Sequence, residues 1–424
     1  MAAIVPIRGW RYNAGSELAL LIAPPYDVID KDQQERFYAL HPHNVIRLEC
    51  GLALPGDHSA NNRYTRAADY FKIWCKEGVL LQDVLPALYF YEQTYNLAGK
   101  RLTRRGFFSG LQLEPYGKNI FPHEDTLSAA RADRMQLIST CKANFSPIFG
   151  LYADPERVVE RLFADISRGK PEYDFTGEEQ QKHRLWVVTD NKVIESAVKM
   201  LENRRVFIAD GHHRFETALW YCLERQAAEA PSKPAPYSYV LTFLVNVYDP
   251  GLSILPTHRL VKTPAGFDLN DFLRAATEFF VVREAGEQVP LPRRRYAFGL
   301  YAGDNRCFRL TLKDGLDPVS FLKGAKPPAW KKSEVAVLHG LLLERRLGIG
   351  PKECTEGQRI GYTHDPKEAC SLVDEGVWDL AFFLNPPGIK ELITVAEAGE
   401  RMPQKSTYFY PKVPSGLVIY SLEG

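Results

Sequence analysis

The stretch that decides the fold is VFIADGHHRFETAL, at residues 206–219. Residues 206–209 form the short apolar run typical of a buried strand, and residues 215–226 have the spacing of a helix. The five residues between them, Asp-Gly-His-His-Arg at 210–214, therefore predict a tight turn from strand to helix. Gly211 permits backbone conformations in such a turn that a residue with a Cβ adopts only with strain.

The polar residues of this turn predict an anion site. The first turn of a helix carries N–H groups without intrahelical partners and a partial positive charge, which favour phosphate. Arg214 adds a planar fork that can hold two phosphate oxygens, and His212 and His213 can exchange protons near neutral pH. Asp210 could cap the helix, coordinate Mg²⁺ or orient a histidine. The alternative is an ordinary helix start with solvated histidines, but so many functional side chains in one turn favour a site.

A second polar cluster consists of HEDT at residues 123–126, Asp133 with Arg134, and NFSP at residues 144–147. Glu124 and Asp133 could supply a general base or metal ligands, and Arg134 could bind phosphate. A helix start with surface ion pairs explains the same residues equally well.

Smaller features could add to an anion site. His258 and Arg259 follow a predicted strand and could make a second anion contact, and Lys405 could reach a phosphate from the start of a strand. Tyr26 and Asp27 follow two prolines, which hold the backbone extended and could present a rigid turn to a ligand. An ordinary loop is an adequate explanation for each of them.

Composition restricts the function classes. The 424 residues carry 53 Lys and Arg against 52 Asp and Glu, so no overall field attracts nucleic acid or an anionic membrane. The seven cysteines are scattered without a Cys-x-x-Cys pair, which disfavours a disulfide framework or a thiolate zinc site. No apolar run has the length of a membrane span, and the first residues do not read as a signal peptide, so we expect a cytoplasmic protein. Neither the P-loop pattern nor the dinucleotide Gly-x-Gly-x-x-Gly occurs.

Periodicity and length predict an α+β chain of two or three domains, which we divide at residues 1–150, 151–285 and 286–424. We predict a buried strand at 239–247 and a hairpin from strands at 87–95 and 104–113. We also predict a single helix at 333–347 and a final pair of strands at 406–410 and 417–422. The main predicted helices elsewhere lie at 31–40, with Asp30 as its cap, and at 64–77, 191–203 and 215–226.

The chain resembles an uncharacterised bacterial and archaeal family called domain of unknown function 1015. The resemblance rests on separate blocks that occur in order along almost the whole chain. These blocks are APPYDVI at 23–29, NVIRL at 44–48, HEDT at 123–126, DR at 133–134, NFSPIFGLY at 144–152, ADGHHRFETAL at 209–219, GLSILPTHR at 251–259, LNPP at 384–387 and MPQKSTYFYPK at 402–412.

The Asp-Gly-His-His-Arg block is also similar to a turn of the ParB/sulfiredoxin-like superfamily, which binds a phosphate or nucleotide between a strand and a helix. Some members of that superfamily are free-serine kinases, and families like this one are associated with serine biosynthesis where the usual phosphoserine phosphatase is missing. The resemblance implies phosphoryl chemistry on serine or O-phosphoserine, with Mg²⁺ and ADP or ATP as candidate cofactors. It also implies a central ParB/sulfiredoxin-like α/β unit with a mixed sheet at 151–285, flanked by N- and C-terminal α+β regions.

Two alternatives stay open. ParB-like proteins include nucleic-acid-binding proteins and nucleases, although the balanced charge and the lack of a recognisable helix-turn-helix disfavour that role. A module that binds a phosphorylated metabolite without turning it over would keep the same anion site. The expected partner is a small phosphorylated metabolite, and the oligomeric state is open.

Overall fold

The computed structural model describes residues 3–15, 17–286, 289–292, 294–322, 324–403 and 405–423. Contacts group the chain into two units. The first unit contains Met1–Pro122, Thr126–Leu252 and Pro411–Gly424, and the second contains His123–Asp125 and Ser253–Tyr410.

A mixed sheet forms the centre of the first unit. Along one path its strands are Ile120–Phe121, Val206–Asp210, Ile148–Tyr152, Tyr239–Asn246, Lys100–Gln112, Leu88–Leu97, Lys182–Val188 and Tyr173–Thr176, and Ile4–Val5 pairs beside Lys100–Gln112. Tyr239–Asn246 runs parallel to Ile148–Tyr152, and Val206–Asp210 runs parallel to Ile120–Phe121, whereas the other pairs are antiparallel. The strand at Tyr239–Asn246 lies inside the sheet, as its continuous apolar sequence predicted.

The first unit also contains eight α-helices within the described residues. They are Leu18–Leu21, Lys31–Leu40, Ile46–Glu49, Arg63–Lys76, Ser128–Cys141, Val158–Phe163, Asn191–Leu201 and His212–Glu229. Asp30 caps Lys31–Leu40 by accepting a hydrogen bond from the Gln33 N–H group, which confirms the predicted cap. Two short strand pairs complete the unit, Trp10–Tyr12 with Leu80–Gln82 and Ala143–Asn144 with Tyr420–Ser421.

The second unit is built on an antiparallel sheet. Its strand order is Phe280–Glu284, Cys307–Leu312, Ala297–Tyr301, Leu380–Phe383, His258–Val261 and Ile360–Thr363. The helices of this unit are Leu269–Ala276, Pro318–Phe321, Pro328–Lys331, Glu334–Leu338, Arg345–Leu347, Pro351–Glu356, Pro366–Asp374 and Ile389–Glu397. Buried leucines of 338–343 pack with Phe298 and Leu300 of the sheet in one apolar core.

The predicted α+β class with a mixed sheet is confirmed. The large sheet takes strands from both sides of residue 150, so the two units do not coincide with the segments 1–150, 151–285 and 286–424, and that division stays a prediction. Within the described residues, every helix is too short or too polar to span a lipid bilayer.

One prediction of local structure was wrong and another gains a detail. The helix predicted at 333–347 is present from Glu334 to Leu347, and its middle, His339–Glu344, is π-helical, which apolar periodicity alone does not reveal. The last two strands do not pair with each other: Tyr408–Tyr410 pairs with Ser253–Leu255, and Tyr420–Ser421 pairs with Ala143–Asn144. Both of these partners lie far away in sequence, beyond the reach of a local pattern.

Candidate functional site

The predicted strand-to-helix turn is present in the first unit. The strand Val206–Asp210 ends at Asp210, and the helix His212–Glu229 begins two residues later. Between them Gly211 has φ 89° and ψ 30°, a left-handed conformation that favours glycine. A Cβ on Gly211 would lie 3.1 Å from the Nε atom of Arg214, so glycine also lets the guanidinium lie close to the backbone of the turn.

Asp210 lies between two cations. Its Oδ1 atom accepts a hydrogen bond from the Lys412 Nζ group at 2.6 Å, and its Oδ2 atom accepts one from Arg214 Nη2 at 2.8 Å. Burial by itself raises the pKa of Asp210, but the attraction of Lys412 and Arg214 outweighs it and holds the pKa well below the usual range. The N-cap position of the helix is occupied by Gly211, and the two oxygens of Asp210 accept from Lys412 and Arg214.

Arg214 is held by contacts within the unit. Its side chain is 9% exposed, and its Nη1 group donates to the carbonyl oxygen of Pro147 at 2.5 Å. This contact brings the predicted NFSP stretch at residues 144–147 against the turn. The Nε group of Arg214 is buried and has no hydrogen-bond partner within the described residues. A buried donor without a partner is costly, so this position favours an acceptor from a ligand or a water.

A small cavity with both polar and apolar walls borders Arg214. Its volume is about 40 Å³, and Glu49, Arg134, Ser146 and Thr217 also line it. The Oγ1 atom of Thr217, like the Nε group of Arg214, is buried without a partner in the part of the chain that the structure describes. A cavity of this size holds on the order of two or three waters. Two buried polar groups without a partner in the described residues thus belong to side chains that line one small cavity.

Arg134 forms the second charged centre beside this cavity. Its side chain is 6% exposed, and its Nη1 group donates to both the carbonyl oxygen and the Oε1 atom of Glu49, at 2.9 and 3.2 Å. Its Nε group donates to Asp133 Oδ2 at 2.8 Å, and its guanidinium lies 3.9 Å from the ring centroid of Tyr26. Burial raises the pKa of Glu49. The predicted phosphate ligand Arg134 therefore already has carboxylate partners.

The contacts of the candidate Mg²⁺ ligands do not fit a metal ion. Asp133 accepts from Arg134 at Oδ2 and from Tyr64 and Arg63 at Oδ1, and both oxygens of Asp210 accept from cations. Among the described residues, no group of three or more His, Cys, Asp or Glu side chains could hold a metal ion. Neither carboxylate is therefore assigned to Mg²⁺.

The last residue of HEDT and the residue after it are joined to the helix of the turn. The Leu127 N–H group donates to His213 Nε2 at 2.8 Å, and Thr126 Oγ1 donates to Glu216 Oε2 at 2.5 Å. Neutral His213 with this contact carries its proton on Nδ1. His212 is buried. The sequence placed these two motifs separately, and the fold brings them together.

The remaining predicted residues lie in the second unit. Glu124 Oε1 accepts from the Lys405 N–H group at 2.7 Å, so these two predicted residues are neighbours. Burial lowers the pKa of His258 to about 4, and its Nε2 atom is buried without a partner in the described part of the chain. Arg259 is fully buried and donates from Nη1 to the Thr257 carbonyl oxygen at 2.6 Å. Its buried contacts favour a structural role over an anion contact.

Two charged residues of the site were not predicted. Lys412 ends the MPQKSTYFYPK block, and Glu49 comes directly after the NVIRL block. The sequence signal that could have identified them as site residues was their position at the ends of family blocks. The pairing of Lys412 with Asp210 and of Glu49 with Arg134 depends on the fold.

Comparison with known proteins identifies the family and only distant structural similarities. Search of the curated proteins gave no match. The chain is similar to a solved conserved hypothetical protein from Pyrococcus furiosus, with 15% identity and a TM-score of 0.34, covering 73% of this chain and 93% of that one. It is similar to a free serine kinase in complex with AMP, with 16% identity and a TM-score of 0.34, covering 72% and 86%. It is also similar to SbnI from Staphylococcus aureus, truncated at its C-terminus, with 12% identity and a TM-score of 0.37, covering 73% and 85%.

A family model matches more than three quarters of the chain. The matched segment, residues 4–337, contains the turn at 210–214, Glu49 and Arg134. It confirms the resemblance that the sequence blocks indicated: this chain belongs to the family described as protein of unknown function (DUF1015).

Proposed function

We propose that this protein transfers a phosphoryl group to or from a small hydroxyl metabolite, with serine and O-phosphoserine as the substrate pair. The observation that supports the phosphate part of this proposal is Arg214, which is 9% exposed, lies against Gly211 and has a buried Nε group without a partner in the described residues. The serine part rests on the resemblance of the turn to that of free-serine kinases.

The charges around the cavity favour an anion. Arg134 and Arg214 line it; Arg134 pairs with Glu49 and Asp133, and Arg214 pairs with Asp210. Of these carboxylates Glu49 lines the cavity, and burial raises its pKa. Two fixed guanidinium groups in a desolvated site stabilise the negative charge that develops in phosphoryl transfer. In this proposal the cavity receives one oxygen of the phosphoryl group, which accepts hydrogen bonds from Arg214 Nε and Thr217 Oγ1.

The reaction requires an acceptor and a proton donor. When O-phosphoserine reacts, the bond between phosphorus and the serine Oγ atom breaks, a bond forms to an oxygen of water or of ADP, and the serine Oγ atom takes a proton. His212 and His213, at the start of the helix in the same unit, are the candidates for this proton transfer. ADP would serve as the phosphate acceptor, or ATP as the donor in the reverse direction. Mg²⁺ is added in the assay.

The test measures phosphate and ATP formation from O-phospho-L-serine with Mg²⁺, with and without ADP. Arg214 pairs with the largely buried Asp210, so Arg214→Lys is a better test variant than Arg214→Ala. Lysine keeps a charge opposite Asp210 and loses the planar fork. Turnover should fall by ten-fold or more.

Arg225→Lys is the matched control because Arg225 lies on the same helix and makes an exposed ion pair with Glu229. Its turnover should equal that of the wild type. Equal turnover in Arg214→Lys would remove Arg214 from the site. Binding of O-phosphoserine without any turnover would instead support a non-catalytic binding module.

A further inference from the structure

We propose that the second unit contains a separate binding pocket for a small organic anion that carries an aromatic ring. The pocket has a volume of about 630 Å³, and all its lining residues belong to this unit. A volume of this size suits a metabolite of ordinary size. The proposal stands apart from the phosphate site of the first unit and does not rest on the proposed function.

One wall of the pocket is apolar and suits a flat ring. Trp330, Phe321 and Leu322 line it. The indole N–H group of Trp330 donates to the carbonyl oxygen of Arg401 at 2.8 Å, which fixes the orientation of the ring. A Cβ on Gly340 would lie 2.3 Å from Leu322 Cδ2, so the close approach of Leu322 to the π-helical stretch requires glycine there. An oriented indole next to packed apolar groups favours an aromatic ligand.

The charged groups of the pocket favour an anion. Lys326, Arg345 and Arg401 line it against the carboxylates of Asp125 and Glu344. Each cation makes an ion pair: Lys326 with Glu400 at 2.5 Å, Arg345 with Glu278 at 2.7 Å, and Arg401 with Asp125 at 3.8 Å. These ion pairs are partly exposed to solvent. Exposed pairs are weak, so a ligand carboxylate or phosphate can compete for the cations.

The pocket also contains a histidine held in one protonation state. Arg259 Nε donates to His339 Nε2 at 3.1 Å, so neutral His339 carries its proton on Nδ1, beside Cys354 Sγ at 3.7 Å. Burial lowers the pKa of His339 to about 3, which keeps the ring neutral. His339 begins the π-helical stretch His339–Glu344. Such stretches occur frequently at functional sites.

The test uses titration calorimetry of the full chain with two probes, AMP and indole-3-acetate. Both probes join an aromatic ring to a negative charge. Comparing their affinities shows whether the pocket prefers a nucleotide or an aromatic carboxylic acid. At least one probe should bind with a Kd below about 1 mM. Arg401→Gln should raise this Kd by roughly ten-fold, since it removes the charge while keeping a polar side chain that can donate a hydrogen bond.

Further variants separate a local effect from misfolding. Trp330→Leu should weaken binding more than Trp330→Phe, because phenylalanine retains a ring. Arg274→Gln, which removes an exposed ion pair with Asp271 outside the pocket, should bind as the wild type does. The absence of binding by both probes, or an equal Kd in Arg401→Gln and the wild type, would overturn the proposal. Binding of AMP that is lost in Arg214→Lys but kept in Arg401→Gln would also overturn it by placing the nucleotide in the first unit.

Discussion

The pairing of Asp210 with two cations predicts a specific order of stabilities among variants. Asp210→Asn removes the carboxylate that accepts from Arg214 and Lys412, whose side chains are only 9% and 13% exposed. Leaving a buried charge uncompensated costs about 3–5 kcal/mol. Lys412→Met removes one charge-assisted hydrogen bond while Asp210 keeps Arg214, so it should cost about 2 kcal/mol. Asp210→Asn should therefore destabilise the first unit more than Lys412→Met.

The assay is urea unfolding followed by tryptophan fluorescence at pH 7, with the free energy of unfolding taken from the transition of the first unit. Asp174→Asn is the control, because Asp174 makes an exposed ion pair with Lys182 in the same unit. Surface pairs contribute little, so the control should leave the transition unchanged.

The pH dependence tests the same pair independently. The pKa of Asp210 in the folded protein is lowered, so the stability it contributes is complete above the unfolded value of about 3.9 and declines as the pH falls below it. The difference between wild type and Asp210→Asn should be constant from about pH 5 to 7 and shrink below about pH 4. A loss under about 1 kcal/mol at pH 7, or a difference that grows in acid, would refute the reasoning.

Two further predictions concern the first unit. Gly211→Ala should lower the free energy of unfolding by about 1–2 kcal/mol and lower turnover, because Gly211 has φ 89° and a Cβ would crowd Arg214. Gly15→Ala, where a Cβ would lie in open space, should change neither stability nor turnover. Thermal unfolding measures the stability, and phosphate release measures the turnover. Burial raises the pKa of Asp249 to about 6, so the folded state binds this proton more tightly than the unfolded state. The resulting stability should be lost as the pH rises from about 4 to 6, and urea unfolding of Asp249→Asn should lack that loss.

The local structure around the turn followed from the sequence because its determinants are close together. The apolar run at 206–209, the glycine at 211 and the helical spacing after it specify a strand, a turn and a helix within 20 residues. The structure has all three at the predicted place, with the helix starting at His212 instead of residue 215. The first turn of a helix is defined by N–H groups without intrahelical partners, and these do not require apolar side chains, so apolar spacing does not show where the helix begins.

The partners of the charged residues could not be predicted in the same way. Asp210 and Lys412 are 202 positions apart, and Glu49 and Arg134 are 85 apart. Such pairs form only after the sheet has brought its strands together. The residue spacing within one segment does not specify which distant segment it will contact. The prediction that Arg134 and Arg214 are available to phosphate therefore missed the carboxylates that hold them.

The central claim is that the turn at Asp210–Arg214 binds the phosphoryl group of O-phosphoserine, and its most direct test is turnover of that compound. Purified wild-type protein with Mg²⁺ should release phosphate, or form ATP when ADP is present, and Arg214→Lys should do so at least ten-fold more slowly than Arg225→Lys. Release without ADP would indicate a phosphatase, and ATP formation that requires ADP would indicate a reversible serine kinase. No turnover together with no calorimetric binding of O-phosphoserine would contradict the claim.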